Sequence, residues 1–161
     1  MKVYIGSDHA GYGLKERLKE YLSGLGLEVV DKGADKFDSN DDYPDFIKLV
    51  AAAVADDTQS KGIILGGSGQ GEAICANKIK GIRAVVFYGP QEPISEVEIN
   101  GRKSADTFEI IKLVREHNNA NILSLGARFM TEDEAKFAAE LFLNTKFPGE
   151  ERHIRRINKI E

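Results

Sequence analysis

The chain has 161 residues, of which 42% are hydrophobic and 30% charged, and a formal net charge of −4. That length accommodates one well-buried domain and is short for two, and the acidic balance leaves no global footprint for nucleic acid. The single cysteine, Cys75, excludes an internal disulfide or a cysteine-based zinc cluster. No uncharged apolar run approaches membrane-spanning length, and the opening MKVYIGSDHA carries no apolar leader core, so a cytoplasmic, soluble protein with no membrane partner is expected.

Taken in order, Val3 to Ile5 reads as a first strand that ends in the polar run Gly6-Ser7-Asp8-His9-Ala10-Gly11. Leu14, Leu18, Leu22 and Leu25 recur at helical spacing, and Gly24 and Gly26 close that segment. Val29 and Val30 mark a second strand, followed by a polar stretch to Asp42. Pro44 fits the first turn of a helix with Phe46, Ile47, Val50, Ala51 and Val54 on its apolar side. A third strand, Ile63 to Leu65, runs directly into Gly66, Gly67, Gly69 and Gly71 and then a helical segment.

Ile82 to Tyr88 is a fourth strand, and Gly89 to Ser104 is irregular, with two prolines and an Asn100-Gly101 turn. Phe108 to Val114 returns to helical pattern and leads into Arg115-Glu116-His117-Asn118-Asn119. Ile122 to Leu125 is a fifth strand, closed by Gly126-Ala127-Arg128, and Thr131 with Glu134 forms a capping-box signature for a further helix. Beyond Pro148 lies a basic tail, whose Ile154 and Ile157 are expected to dock on the body. Strands alternating with helices at this spacing predict an α/β fold: three layers, Rossmann-like, around a five-stranded parallel sheet. The domain is expected over residues 1–148, with 89–104 as an excursion and 149–161 as a basic helix or tail.

Chemistry concentrates at strand ends. The glycine loop after the third strand presents backbone N–H groups without internal partners, a ready cradle for an anion. Ser68 adds a hydroxyl there, and Glu72 a carboxylate in the first helical turn. The loop is neither a Walker A nor a G-x-G-x-x-G, and glycines after a strand also serve close helix packing. At a helix start the dipole lowers the pKa of Glu72, leaving it ionised and available as a base, while burial would tune it upward; Cys75, one turn further on, reads as a small buried residue rather than a nucleophile. Asp8 and His9 follow the first strand and Arg128 the fifth. If the first strand lies beside the third, these groups share one crevice. His9 and His117 each fit a capping or core role as well. Arg152 and Arg156, one helical turn apart, repel unless an anion lies between them.

Taken together, Ser7-Asp8-His9-Ala10-Gly11, Asp42-Tyr43-Pro44-Asp45, Gly66 through Glu72, Ala76-Asn77-Lys78, Arg115 through Asn121, Leu125-Gly126-Ala127-Arg128 and Arg152 through Arg156 resemble the type B ribose-5-phosphate isomerase family from end to end. The wider family includes galactose- and allose-6-phosphate isomerases. The resemblance implies a homodimer or tetramer without metal or cofactor, with active sites shared between subunits, interconverting an aldose phosphate and a ketose phosphate through a cis-enediolate. One branch uses a cysteine at the start of the loop as base. Gly66 stands there, and Glu72 matches the glutamate of the other branch.

By that resemblance Glu72 shuttles the proton, while Ser68 and the N–H groups around Gly67, Gly69 and Gly71 steady the enediolate. Asp8 and His117 assist ring opening, Asn118 holds sugar oxygens and Tyr43 lines the pocket. His9, Arg128, Arg152 and Arg156 bind phosphate, drawn from two chains. The connection from Tyr88 to His117 is longer than the family's, which puts the sugar rather than the chemistry in question. A hexose-6-phosphate isomerase and a non-catalytic phosphosugar- or nucleotide-binding module are the other expectations. A flavin binder is disfavoured, since tryptophan is absent.

Overall fold

The computed structural model describes residues 1–161. Five strands, β1 (Lys2–Ser7), β2 (Glu28–Asp31), β3 (Lys61–Gly66), β4 (Ala84–Phe87) and β5 (Ile122–Gly126), form one parallel sheet in the order β2-β1-β3-β5-β4. Their apolar runs follow from burial on both faces. Ile63, Ile64, Leu65, Leu123 and Leu125 are all fully buried. Six helices cover the sheet: α1 (Tyr12–Gly24), α2 (Tyr43–Asp56), α3 (Gln70–Ala76), α4 (Glu109–Asn118), α5 (Glu132–Asn144) and α6 (Glu151–Ile157). None is long and apolar enough to cross a membrane.

The helices divide into two layers because their apolar stripes pack against opposite faces. On one side Leu18 and Leu22 of α1, Ile111 of α4 and Ala138 and Phe142 of α5 join one core. On the other, Ile47, Val50 and Val54 of α2 meet Ala73 and Ala76 of α3. Each large side chain so buried contributes about 1.5–3 kcal/mol against exposure. The expected three-layer α/β architecture is therefore the observed one. The capping box is present: the Thr131 Oγ1 accepts from the Glu134 N–H (3.3 Å) while Glu134 Oε2 accepts from the Thr131 N–H (2.7 Å).

Two expectations are corrected. Helix α1 ends at Gly24, so Leu25 falls beyond it and is 48% exposed. In α6 the buried pair is His153 and Ile157, while Ile154 remains 41% exposed. Residues 153 and 157 stack one turn apart on the inner face, which rotates Ile154 away from it.

The sheet order brings the ends of β1, β3 and β5 side by side. Ser7 pairs with Leu65 in register, and Gly66 with Gly126, so the three loops leave the same edge at the same height. The chain moves outward from β1 to β2 and then returns to the other side of β1, which makes the β1/β3 crevice a topological switch point. Residues 89–104 contain no helix or strand. Their first part runs along α4, enclosing a cavity of about 580 Å³ with Val86, Tyr88, Ile94, Val97, Ile110 and Leu113 on its walls.

Candidate active site

The glycine loop is held from below and open above. Gly69, at φ +76°, takes the left-handed conformation that favours glycine, and its carbonyl accepts from the buried Ser124 Oγ at 2.7 Å. The N–H groups of Ala127 and Arg128 donate to the carbonyls of Gly66 (2.9 Å) and Gly67 (3.2 Å), joining the loop after β3 to the one after β5. Above this base the N–H groups of Gly67, Ser68, Gly69 and Gly71 donate to no group of the chain. Ser68 is exposed, and its Oγ accepts from the Gln70 N–H at 3.3 Å. Four free donors converging on one turn form an anion cradle.

Glu72 lies beneath that cradle and is only 5% exposed. Its carboxyl fills the place a side chain at position 66 would occupy: a Cβ on Gly66 would lie 1.9 Å from Glu72 Oε1. Gly66 and Glu72 are thus sterically complementary, and a larger residue at 66 is incompatible with this position of the carboxylate. Of the two influences open for Glu72, burial prevails over the helix start. Burial raises its pKa, the amide N–H of Glu72 opposes that, and the nearby Asp8 carboxylate raises it further. The helix N-terminus loses to desolvation because the side chain turns inward rather than into water. Cys75 is half-buried rather than buried, and burial pushes its thiol up, so it is not an activated nucleophile.

Around the loop stand the other expected groups. Asp8 is 6% exposed, and its Oδ1 accepts from the N–H groups of Ala10 (3.0 Å) and Gly11 (3.4 Å). The His9 ring places Nδ1 2.7 Å from Asp41 Oδ1, and the His9 N–H donates to the same oxygen at 3.0 Å. That hydrogen bond raises the imidazole's pKa, with burial opposing, Asp8 and Asp41 adding to the rise, and Arg128 lowering it. Arg128 is exposed, forms no ion pair, and lies over Gly67, where a Cβ would sit 3.3 Å from its guanidinium carbon. Tyr43 closes the opposite side: a Cβ on Gly71 would be 2.9 Å from its Cζ. Asp8, His9 and Asp41 could offer a cation one atom each within 4.8 Å of one another, but only by giving up the His9–Asp41 hydrogen bond.

The remaining expected residues lie at the other edge of the sheet. Helix α4 runs back towards the start of β5. His117 and Asn118 occupy its last turn, and the Asn118 carbonyl accepts from Arg83 Nε (3.0 Å) just ahead of β4. Arg115, 5% exposed, anchors that turn through the Thr145 carbonyl (3.1 Å) and the Asn119 side chain (3.0 Å), and Asn119 ends the helix at φ +45°. His117 stacks on His153 at 4.3 Å between ring centroids, and its Nε2 lies 2.7 Å from Glu98 Oε1. Burial first, then the neighbouring His117, lowers the pKa of His153. Arg152 donates to Glu98 (2.7 Å) and Glu150 (2.7 Å), while Arg156 is exposed and unpaired. The length of β5, roughly 17 Å by strand geometry, separates this cluster from the glycine loop.

One chain thus brings together Glu72, Ser68, Gly67, Gly69, Gly71, Asp8, His9, Tyr43 and Arg128, and separately His117, Asn118, Arg152 and Arg156. Three contributors escape a linear reading: Asp41, which holds His9; Glu98, which holds His117 and Arg152; and Ser124, which holds the loop. Asp41 and Ser124 lie 32 and 55 residues from their partners, and nothing local marks either.

A family model described as Ribose/Galactose Isomerase matches residues 3–101 and 104–160. Ribose-5-phosphate isomerase B of Mycobacterium tuberculosis is 40% identical over 158 residues, covering 98% of this chain and 86% of the relative. The crystal structure of ribose-5-phosphate isomerase B from Mycoplasma genitalium with bound ribulose-5-phosphate superposes with a TM-score of 0.84. It is 38% identical and covers 99% of this chain and 93% of that one. A ribose 5-phosphate isomerase from Thermotoga maritima gives a TM-score of 0.83 at 40% identity, covering 99% and 96%.

Proposed function

Because this chain belongs to the ribose/galactose isomerase family, we propose that it interconverts ribose 5-phosphate and ribulose 5-phosphate by moving a proton between C2 and C1 through a cis-enediolate, without a metal or cofactor. The observation that carries this is the Glu72 carboxyl, 5% exposed, in the space left by Gly66 at the start of a loop with four unpaired N–H groups. A base raised in pKa by burial sits closer to the operating pH, where proton transfer in both directions is most efficient.

In this reading Glu72 removes the C2 proton of the opened aldose and returns it to C1. The N–H groups of Gly67, Ser68, Gly69 and Gly71, with the Ser68 hydroxyl, take up the negative charge that develops on the O1 and O2 oxygens. Tyr43 bounds the sugar, and Asp8 assists ring opening from the β1 side. His9, whose imidazole pKa the hydrogen bond to Asp41 raises, and Arg128 face the phosphate. The half-site lacks a ring-opening imidazole, and the cluster of His117, Asn118, Arg152 and Arg156 lacks a base. A homodimer, alone or as part of a tetramer, in which the second cluster of one copy completes the first of another satisfies both. The tail 149–161 then serves the neighbour's site, and the enzyme works in the cytoplasm as a step of pentose phosphate metabolism.

The test is turnover of ribose 5-phosphate by the wild-type protein beside Glu72→Gln. Loss of about a thousandfold in kcat with phosphosugar binding retained is the expected result. Undiminished turnover by Glu72→Gln contradicts the assignment of the base. A wild type active only on hexose 6-phosphates moves the substrate, not the mechanism.

A further inference from the structure

We propose that Glu98 is an internal anion that competes with the substrate's phosphate for Arg152, so that segment 89–104 sets how tightly this half-site grips a phosphate monoester. The proposal rests on the reading above, in which Arg152 and Arg156 hold phosphate. Glu98 belongs to a segment that is otherwise largely exposed: Ile94 and Ile99 on either side of it are 98% and 87% exposed. Its own side chain is 13% exposed, because a tight turn aims it inward. The Val97 N–H donates to the Arg102 carbonyl (2.8 Å) and the Gly101 N–H to the Glu98 carbonyl (3.0 Å), with Gly101 at φ +85°. Arg102, 2.6 Å from the buried Glu109, ties the turn to the start of α4.

The two carboxylate oxygens of Glu98 are divided between two functional groups. Oε1 lies 2.7 Å from His117 Nε2, and Oε2 accepts from the Arg152 guanidinium at 2.7 Å. The hydrogen bond to His117, then that to Arg152, draws the Glu98 carboxyl down to a pKa of about 2, so it is a full negative charge at working pH. Glu150 takes the Arg152 Nε at 2.7 Å, leaving Arg152 engaged on two sides. A guanidinium binds phosphate through paired N–H donors, and two of the five on Arg152, one on Nε and one on Nη2, are already held by carboxylates that also offset its charge. Arg156, which borders the same cavity of about 430 Å³, forms no ion pair. Phosphate entering this subsite therefore meets one arginine free of ion pairs and one whose charge and Nη2 donor Glu98 already shares. Glu98 is a positioning residue with a direct claim on both the ring-opening histidine and the anion subsite.

The experiment measures inorganic phosphate as a competitive inhibitor of ribose 5-phosphate turnover, and its direct binding by calorimetry, at fixed pH and ionic strength. Wild type is compared with Glu98→Gln, Glu98→Asp and Glu96→Gln, the last bordering the same cavity without touching either partner. Glu98→Gln is expected to tighten phosphate about fivefold and lower KM in the same proportion. Glu98→Asp, one methylene too short to span both partners, should fall between, and Glu96→Gln should stay within about twofold of wild type. Unchanged or weaker phosphate binding in Glu98→Gln, or an equal effect from Glu96→Gln, overturns the proposal. Should the wild type turn over no sugar phosphate, the proposed function fails while the calorimetric comparison still decides the role of Glu98. If Glu98→Gln does not fold, Glu98→Asp carries the same comparison.

Discussion

The two edges of the sheet hold the two halves of the expected site under opposite kinds of restraint. At the carboxyl edge, Glu72 and Asp8 are buried, and the groups around them are fixed by backbone hydrogen bonds between adjoining loops. At the opposite edge, His117, Arg152 and Arg156 are partly exposed side chains on a helix end and a tail, organised by ion pairs with a loop. Burial tunes a base, and water-accessible cations capture a charged substrate and let it go. Under the proposed function the division suits the roles: the base gains from desolvation, whereas the phosphate-binding arginines, Arg128 beside the base included, stay accessible to water.

The most direct way to break this comparison is to fill the space that Gly66 leaves. Gly66→Ala places a methyl group 1.9 Å from Glu72 Oε1, and only the carboxyl can yield, since the strand around Gly66 is buried and paired. The expected outcome in a steady-state assay is a fall in kcat of about a hundredfold with little change in KM, on a protein that melts cooperatively. A Gly66→Ala enzyme of normal kcat would mean that the buried position of Glu72 is not the working one.

A smaller effect sharpens the same contrast through pH. The folded pKa of Glu72 is raised above its unfolded value, so the stability linked to it is complete below the unfolded pKa, about 4.3, and is lost as pH rises through the folded pKa. Glu72→Gln removes that cost and should melt at a higher temperature than wild type at pH 7, with the gain disappearing near pH 4. Glu98 has the reverse sign. Its pKa of about 2 lies below the unfolded value, so its contribution is present above pH 4.3 and fades as pH falls towards 2. A Glu72→Gln variant less stable than wild type at pH 7 would contradict the burial argument.

The fold and the first half of the site were legible in the chain because their signals are local. Apolar runs, glycines after β3 and the Thr131–Glu134 box each speak within a few residues, and the end-to-end resemblance supplied the rest. What stayed hidden depends on groups meeting from afar. The pKa direction of Glu72 turns on whether its side chain faces water or the sheet, which helical position alone does not reveal. His153 replaces Ile154 as a buried residue because α6 docks on the face that stacks His153 against His117. Glu98 is one acidic residue in an irregular stretch, and only the fold of residues 97–102 turns it towards His117, Arg152 and, at 3.9 Å, Arg102.

The measurement that tests the division of labour most directly is subunit complementation. Glu72→Gln disables one half-site and His117→Ala the other, so each protein alone should be nearly inactive. Dissociated, mixed in equal amounts and reassociated, they should form about half mixed dimers, each with one intact site of two. Activity should recover to about a quarter of wild type. Recovery at that level is what sites shared between copies predict; a mixture no more active than its components would place Glu72 and His117 in the same chain's site and contradict the account.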